Sequence, residues 1–327
     1  MTFEFTVQPD FNFLSTFAQK FNIAVYKNRI SMPESIGKGF IRNIEIEDGL
    51  KFVLHHYILK QDFHLKRIAT EEKNDLISIV FNSNEIPINI SDERQTALQF
   101  LKNNGSAIQI SSSVLGTETF FHAGSEVYFT VIGIQQKVLS SLLRFEKPNS
   151  LLTTILNDET TFFYHENMFP EVQRILKQLS EMDEQVKLSE LYQSIKIHEL
   201  LYLLFDKLLN RETEKHSPVN KTDIDKIFVV RTAIIADLSS PPELSMLAKL
   251  AGMSETKLKH LFKQTFGDTV YNYYQNERMQ EAAFLLKHTG NSVSETGYQL
   301  GFSNLSHFSR LFQKHFGITP KKYTSTV

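Results

Sequence analysis

The chain has no cysteine among its 327 residues, which excludes disulfides, zinc–thiolate centres and a cysteine nucleophile. It has no run of about 18 apolar residues, so no membrane span is expected. Its opening stretch, MTFEFTVQPDF, lacks a basic start followed by an apolar block. No secretory leader is read there, and a cytoplasmic location is expected. No Ser/His/Asp constellation, glycine-rich phosphate loop or paired-acid motif stands out, so no catalytic residue and no cofactor are assigned. A His-x-His pair of the kind that seeds a metal site on a strand is also missing. The nearest cluster is His55, His56 and His64. Adjacent strand residues point to opposite faces, so His55 and His56 make a poor chelate and no metal is assigned.

What is present suits soluble globular folds: 41% hydrophobic and 22% charged residues, in a length that predicts two domains. The charge is unevenly placed. Residues 223–327 hold 12 lysines and arginines against 9 acids, a net +3. The preceding 222 residues hold 23 against 28, a net −5. The sign of that asymmetry favours nucleic-acid contact by the C-terminal part, though +3 is modest.

The stronger signal is a duplication. Ala248–Tyr273 reads AKLAGMSETKLKHLFKQTFGDTVYNY, and Gly297–Tyr323 reads GYQLGFSNLSHFSRLFQKHFGITPKKY. They align with one extra residue in the second copy, just after its glycine. Gly252 then pairs with Gly301, Leu258 with Phe308, Phe262 with Phe312, Phe266 with Phe316 and Gly267 with Gly317. Each copy ends in Gly-x-Thr-x-x-x-Tyr. Two copies make a duplicated supersecondary unit, not a solenoid. Each reads as a short helix, a turn at glycine and a second helix. In the first copy Leu244, Leu247, Ala248 and Ala251 line one face of the short helix. Gly252 supplies the turn, Ser254 is a good N-cap, and Leu258, Leu261, Phe262 and Phe266 form the apolar stripe that Gly267 ends. Ala248 and Gly297, each four residues before the turn glycine, let the helices cross closely. This is the plan of a helix-turn-helix, whose second helix enters the DNA major groove.

These residues, with Arg278-Met279-x-x-Ala282-x-x-Leu285-Leu286 between the copies and Gly317-x-Thr319-Pro320-x-x-Tyr323 at the end, resemble the DNA-binding domain of the AraC/XylS transcription regulators over about residues 223–325. Val270 takes the place that Pro320 has in the second copy, and Gly297 stands where the family usually has alanine. The glycine costs its helix about 1 kcal/mol. A helix from Asp268 to His288, about 31 Å long at 1.5 Å per residue, would join the two units. That is close to one turn of B-DNA, about 34 Å. The resemblance, carried position by position, points to Thr256, Lys259, His260, Ser306, Ser309 and Arg310 as base contacts. Arg310 is the foremost, since its fork can bond guanine O6 and N7 together. Lys257, Lys263, His307, Lys314, Lys321 and Lys322 are candidate phosphate contacts. Arg278 is expected in a structural or backbone-contact role.

Residues 1–160 carry β-branched and aromatic runs at Gly39–Glu45, Leu50–Leu59, Leu76–Phe81, Ala107–Val114 and Glu126–Ile134, with a helix near Asp10–Phe21. Asn103-Asn104-Gly105 and Ala123-Gly124-Ser125 look like turns. The resemblance implies a cupin-like barrel or sandwich that holds a small-molecule effector, and Phe120, Phe121, His122 and Tyr128 are candidates to line it. Residues 161–210 read as a helical connector. Pro170 opens one helix with Val172, Ile175, Leu176 and Leu179 on its stripe, and a second runs Lys187–Leu209. Its broad apolar face asks for more than one partner. Packing on the barrel is one reading, and homodimerisation through Leu191, Ile195, Leu201 and Leu204 is the other. The stretch 191–209 is also similar to siderophore-responsive family members. Residues 211–222 are polar and contain Pro218, a linker pattern.

The expected architecture is thus a multi-domain α+β chain: a β-rich effector domain (1–160), a helical connector (161–210), a linker (211–222) and an all-α domain with two helix-turn-helix units (223–327). The function implied is a sequence-specific, double-stranded-DNA-binding transcription activator controlled by a small effector, with RNA polymerase as a partner and no enzymatic activity. Two alternatives stay open: a cupin-type metalloenzyme fused to a DNA reader, and an effector-free regulator governed by a protein partner. The DNA-alkyl repair sensors that share this domain need acceptor cysteines, which are lacking here.

Overall fold

The computed structural model describes residues 1–8, 11–69, 75–82, 90–91, 97–98, 107–144, 149–157, 161–182, 186–210, 218–288 and 291–325. The chain divides into two compact units, Met1–Ile224 and Asp225–Val327.

The first unit begins with β1 (Thr2–Phe5), α1 (Phe13–Phe21), β2 (Arg29–Ser31), β3 (Gly37–Glu47), β4 (Leu50–Leu59), β5 (Phe63–Arg67) and β6 (Leu76–Asn82). Two short strands follow, β7 (Ile90–Ser91) and β8 (Ala97–Leu98), and then β9 (Ala107–Ser112), β10 (Thr117–Phe121) and β11 (Glu126–Gln135). The helical part comprises α2 (Gln136–Leu143), α3 (Ser150–Ile155), α4 (Pro170–Glu181) and α5 (Ser189–Leu209), with β12 (Phe163–Asn167) between α3 and α4. Helix α6 (Lys221–Ala236) contains the boundary of the units. One sheet has seven strands in the order β12-β9-β6-β11-β4-β3-β2, and a second has three, β1-β5-β10.

Strand alternation sorts the first unit into two cores. Phe52 and Leu54 of β4, with Ile77, Ile79 and Phe81 of β6, face helices α2–α5. On the other side Tyr57 and Leu59 of β4, with Val127 and Phe129 of β11, meet Phe63 of β5, Phe121 of β10, Phe3 of β1 and helix α1. The two sheets therefore enclose an inner face, closed over by α1, as a sandwich-like barrel does.

Several expected boundaries shift for local reasons. Helix α1 starts at Phe13 because Asn12 caps it, accepting from the Ser15 amide at 3.1 Å. The five-residue β12 falls inside the stretch read as connector and pairs with β9, so the β-rich region runs past residue 160. Helices α4 and α5 share one core with the large sheet and are not a separate body. The linker reading also narrows. Residues 211–217 lie outside the described residues, as does the Asn103-Asn104-Gly105 turn. Val219, however, is buried and donates its amide to the Thr161 carbonyl at 3.0 Å. Asn220 caps α6 by accepting from the Asp223 amide at 2.8 Å, so α6 starts at Lys221, inside the stretch read as linker.

The second unit continues from α6 with α7 (Leu244–Ala251), α8 (Glu255–Phe266), α9 (Val270–His288), α10 (Val293–Gln299), α11 (Leu305–Phe316) and α12 (Pro320–Ser325). The joining helix α9 has 19 residues, about 28 Å, slightly shorter than its sequence pattern suggested. Val270 and Pro320 each open a helix, so the valine-for-proline exchange costs no backbone geometry.

Candidate nucleic-acid interface

The duplication in sequence is a duplication in packing. In the first copy the rings of Phe262 and Phe266 lie 4.6 Å apart, and Tyr273 stands 5.3 Å and 5.1 Å from them. In the second, Phe312 and Phe316 are again 4.6 Å apart, with Tyr323 at 5.3 Å and 5.5 Å. The interplanar angles match within a few degrees: 45°, 81° and 47° against 42°, 78° and 44°. Each tyrosine follows a Gly-x-Thr turn whose threonine hydroxyl caps the next helix, Thr269 for Asn272 and Thr319 for Lys322. The spacing Gly-x-Thr-x-x-x-Tyr thus folds the chain back so that the tyrosine locks the helix just ended.

The turns within each unit follow from their caps. Gly252 ends α7 in the left-handed region, and Ser254 caps α8 through the Lys257 amide at 3.2 Å. A capping box of Ser292 and Glu295 starts α10. Asn304 caps α11, accepting from the amides of Ser306 and His307 at 2.9 and 3.1 Å. Asn304 was not singled out in the sequence, although an asparagine before an apolar-periodic run is the usual start signal. Gly297 sits where α10 crosses α11. A Cβ there would come within 2.6 Å of Leu305 Cδ2 and 3.3 Å of Phe308 Cδ1, so the crossing has closed onto the glycine.

Helices α8 and α11 bury Leu258, Leu261, Phe262, Phe308 and Phe312, which leaves their other faces outward. Thr256, Lys257 and Lys259 are exposed and His260 is half-buried, all on α8. Ser306, His307 and Arg310 are exposed and Ser309 half-buried, all on α11. Lys259 makes an exposed ion pair with Glu255 at 3.9 Å, a contact worth little and easily given up. Arg310 has no hydrogen-bond or ion-pair partner among the described residues, so its guanidinium is available. Lys314, Lys321 and Lys322 are exposed, and Lys263 is half-buried.

Arg278 supports the fold of the second unit. It is buried, and both Nε, at 2.8 Å, and Nη2 donate to the carbonyl of Leu300, the residue that ends α10. Its guanidinium lies 3.6 Å from the Phe302 ring and 5.3 Å from the Tyr274 ring. The first unit of the pair has a different buried cation, unread in the sequence. Arg231 of α6 donates Nε to the Tyr273 hydroxyl at 2.7 Å, and Glu277 is buried one turn along α9. Burial pushes the Tyr273 phenol above its usual range, the Arg231 charge opposing and Glu277 reinforcing.

The candidate effector residues do not come together. Phe121 lies on the inner face, stacked on Phe63 and Phe129. His122 is exposed at a turn, 4.0 Å from Asp62. Tyr128 is on the opposite face of β11, where its hydroxyl donates to the Leu176 carbonyl of α4 at 2.9 Å. Burial there raises its phenol above the usual range. The Phe120 side chain lies outside the described residues. His55 and His56 do take opposite faces: His55 is buried inside, while His56 reaches Glu126 at 3.0 Å on the surface. Of the candidate dimer residues, Leu201 and Leu204 are buried against the large sheet, which leaves Leu191 and Ile195 exposed. Among the described residues no cluster of histidines and acids has metal-binding geometry, and no helix is long and apolar enough to cross a membrane.

Comparison with known proteins covers both units. The N-terminal domain of the regulatory protein PchR matches residues 36–221, and a helix-turn-helix domain family matches residues 247–326. An uncharacterized HTH-type transcriptional regulator of Haemophilus influenzae is 32% identical over 101 residues, 30% of this chain and 34% of that protein. The HTH-type transcriptional activator RhaR of Mannheimia succiniciproducens is 24% identical over 169 residues, 52% of this chain and 59% of that protein. The match thus spans less than two thirds of either relative. A solved AraC-type DNA-binding domain protein from Chromobacterium violaceum is 31% identical, covering 33% of this chain and 96% of that one at a TM-score of 0.31.

Proposed function

The chain belongs to the PchR family of regulatory proteins, with an AraC-type helix-turn-helix domain, and from that premise we propose that it is an effector-controlled transcription activator reading two DNA boxes about one helical turn apart. The observation that carries this reading is the repeated unit: two copies of one packing motif, each presenting a capped twelve-residue helix with a polar outward face. The span of α9, about 28 Å, suits recognition helices in successive major grooves of one DNA face. Thr256, Lys259, His260, Ser306, Ser309 and Arg310 are the base readers. Lys257, Lys263, His307, Lys314, Lys321 and Lys322 hold phosphates and set the salt dependence. The first unit receives a small molecule, RNA polymerase is the partner in activation, and the protein works in the cytoplasm without catalysis.

Selection of bound duplexes from a random pool, with the full chain at a stated salt concentration, tests this. Two short boxes about a turn apart are expected. Arg310→Ala should weaken the box read by α11 by about 1–3 kcal/mol and leave the other box intact. Salt-sensitive binding with no enriched sequence would overturn the sequence-specific reading.

The same reading includes a homodimer through α5. Leu191, Ile195 and Tyr202 are exposed at spacings of 4 and 7, a heptad seam on the side of α5 away from the large sheet. Ile195→Asp should leave the fold intact, since the residue touches solvent, and shift the chain to monomer in sedimentation equilibrium. An unchanged mass, or a monomeric wild type, would remove the dimer.

A further inference from the structure

Two polar groups inside the first unit have no counterpart to explain them. Arg67, at the end of β5, is buried, and burial pushes its pKa down to about 10. Its Nη2 donates to the Ser111 hydroxyl of β9 at 3.2 Å, reaching from the small sheet to the large one. Its Nε has no partner, and among the described residues no carboxylate pairs with it. His55 of β4 is also fully buried, and both ring nitrogens lack partners. Burial drives its pKa to about 3, so the ring is neutral and offers one donor and one acceptor.

Aromatic rings connect the two. Phe5 is the register partner of Arg67 in the β1–β5 pair. It lies 5.3 Å from Phe13, which meets the His55 ring edge-on at 4.8 Å. His55 in turn stacks on Phe129 at 4.0 Å. A buried cation left without an anion is costly, and such a cost is found where a site awaits a ligand.

We propose that the inner face of the first unit binds an apolar monocarboxylate, its acid group paired with Arg67 and Ser111 and its apolar body laid along Phe5, Phe13, His55 and Phe129. The proposal rests on the reading that this unit receives the effector. Charge decides the ligand class. One guanidinium, with a neutral imidazole elsewhere on the same face, matches a single negative charge, whereas a phosphate monoester brings about −1.5 to −2 and would bury the excess. A planar carboxylate also fits the guanidinium fork. His55 then supplies a polar contact to the body of the ligand, within a wall that otherwise accepts only apolar groups.

The test uses the full chain with 2-naphthoate and its neutral isostere 2-naphthamide as probes. The protein has no tryptophan, so naphthalene emission excited beyond the tyrosine band reports the probe alone. Saturable binding of the acid, with the amide at least tenfold weaker, is expected. Arg67→Gln should erase that difference, and Arg67→Lys should keep part of it. Without ligand, the thermal midpoint of Arg67→Gln should hold or rise, because an uncompensated charge has been removed. Equal affinities for the pair, no saturable binding of either, or a midpoint that falls by several degrees would each overturn the proposal; the last would mark Arg67 as structural. Duplex selection on the same preparation separates this from the broader function. A chain that selects DNA and ignores the acid loses the proposal and remains a regulator. A chain that prefers the acid but selects no duplex keeps the proposal and loses the regulator reading.

Discussion

Gly301→Ala should destabilise the second helix-turn-helix by about 4 kcal/mol. Two terms add. The residue sits at φ 75°, in the left-handed region, which costs a side chain about 1–2 kcal/mol. A Cβ there would also overlap the carbonyl oxygen of Ser239 and approach its carbonyl carbon to 2.8 Å. That neighbour is backbone and cannot rotate away, so a further 1–3 kcal/mol of the kind seen for overpacked sites is expected. Gly317 separates the two terms. Its φ is 76°, and nothing lies within 4 Å of the position its Cβ would take. Gly317→Ala should therefore show the backbone term alone, about 1–2 kcal/mol. Hydrogen exchange of the α10 and α11 amides in the full chain reads the difference. Equal losses for the two variants would mean that the segment around Ser239 moves aside and that the close approach carries no energy.

The contrast between these glycines also shows what could be read without coordinates. Both follow a helix of the second copy, Gly301 after α10 and Gly317 after α11, and the sequence marks both as turn positions. Which of them bears a backbone contact depends on Ser239, about sixty residues away, and no local pattern carries that. The second unit was legible because its signals are short-range and occur twice. A cap at Ser254, an apolar stripe at Leu258, Leu261, Phe262 and Phe266, and a Gly-x-Thr turn each depend on a few neighbours.

The first unit was harder to read because its large sheet is covered on both faces. In β4, Phe52 and Leu54 point to the helices while His55 and Tyr57 point inward. The run LKFVLHHYIL consequently lacks the polar alternation that would tell one face from the other. Tyr128 and Phe121 were grouped for the same reason, although the structure places them on opposite sides of β11. Arg67 gave no signal either. A lone arginine after a strand reads as surface, and only its burial without an acid sets it apart. The α5 helix falls between these cases. Its broad apolar pattern asks for more than one partner surface, and the structure puts Leu201 and Leu204 against the large sheet.

Arg231→Met should cost about 3–5 kcal/mol, the usual result of removing one partner from a buried charged cluster. Arg231 and Glu277 are exposed to only 1% and 2%, so neither reaches bulk water when the other is lost. With the guanidinium gone, the buried Glu277 carboxylate loses a nearby positive charge and keeps the Tyr273 hydroxyl as a neighbour. Protonating it relieves the strain, so the folded variant takes up a proton more readily than the unfolded chain does. The variant's deficit should therefore shrink as pH falls and the carboxylate is protonated, and grow as pH rises and it ionises. Glu277→Gln in the Arg231→Met background removes the charge itself, and it should recover part of the stability and flatten the pH dependence. Tyr273→Phe keeps the aromatic triangle with Phe262 and Phe266 and deletes only the hydroxyl, so about 1–2 kcal/mol is expected. Urea unfolding of the single and double variants across pH reads the coupling directly. Strict additivity, with no pH dependence in Arg231→Met, would mean that Arg231 acts by packing alone. If coupling is found, the cluster joins α6 to α9 next to the first recognition helix. Weakening it should then lower DNA affinity at the box read by α8 before the box read by α11.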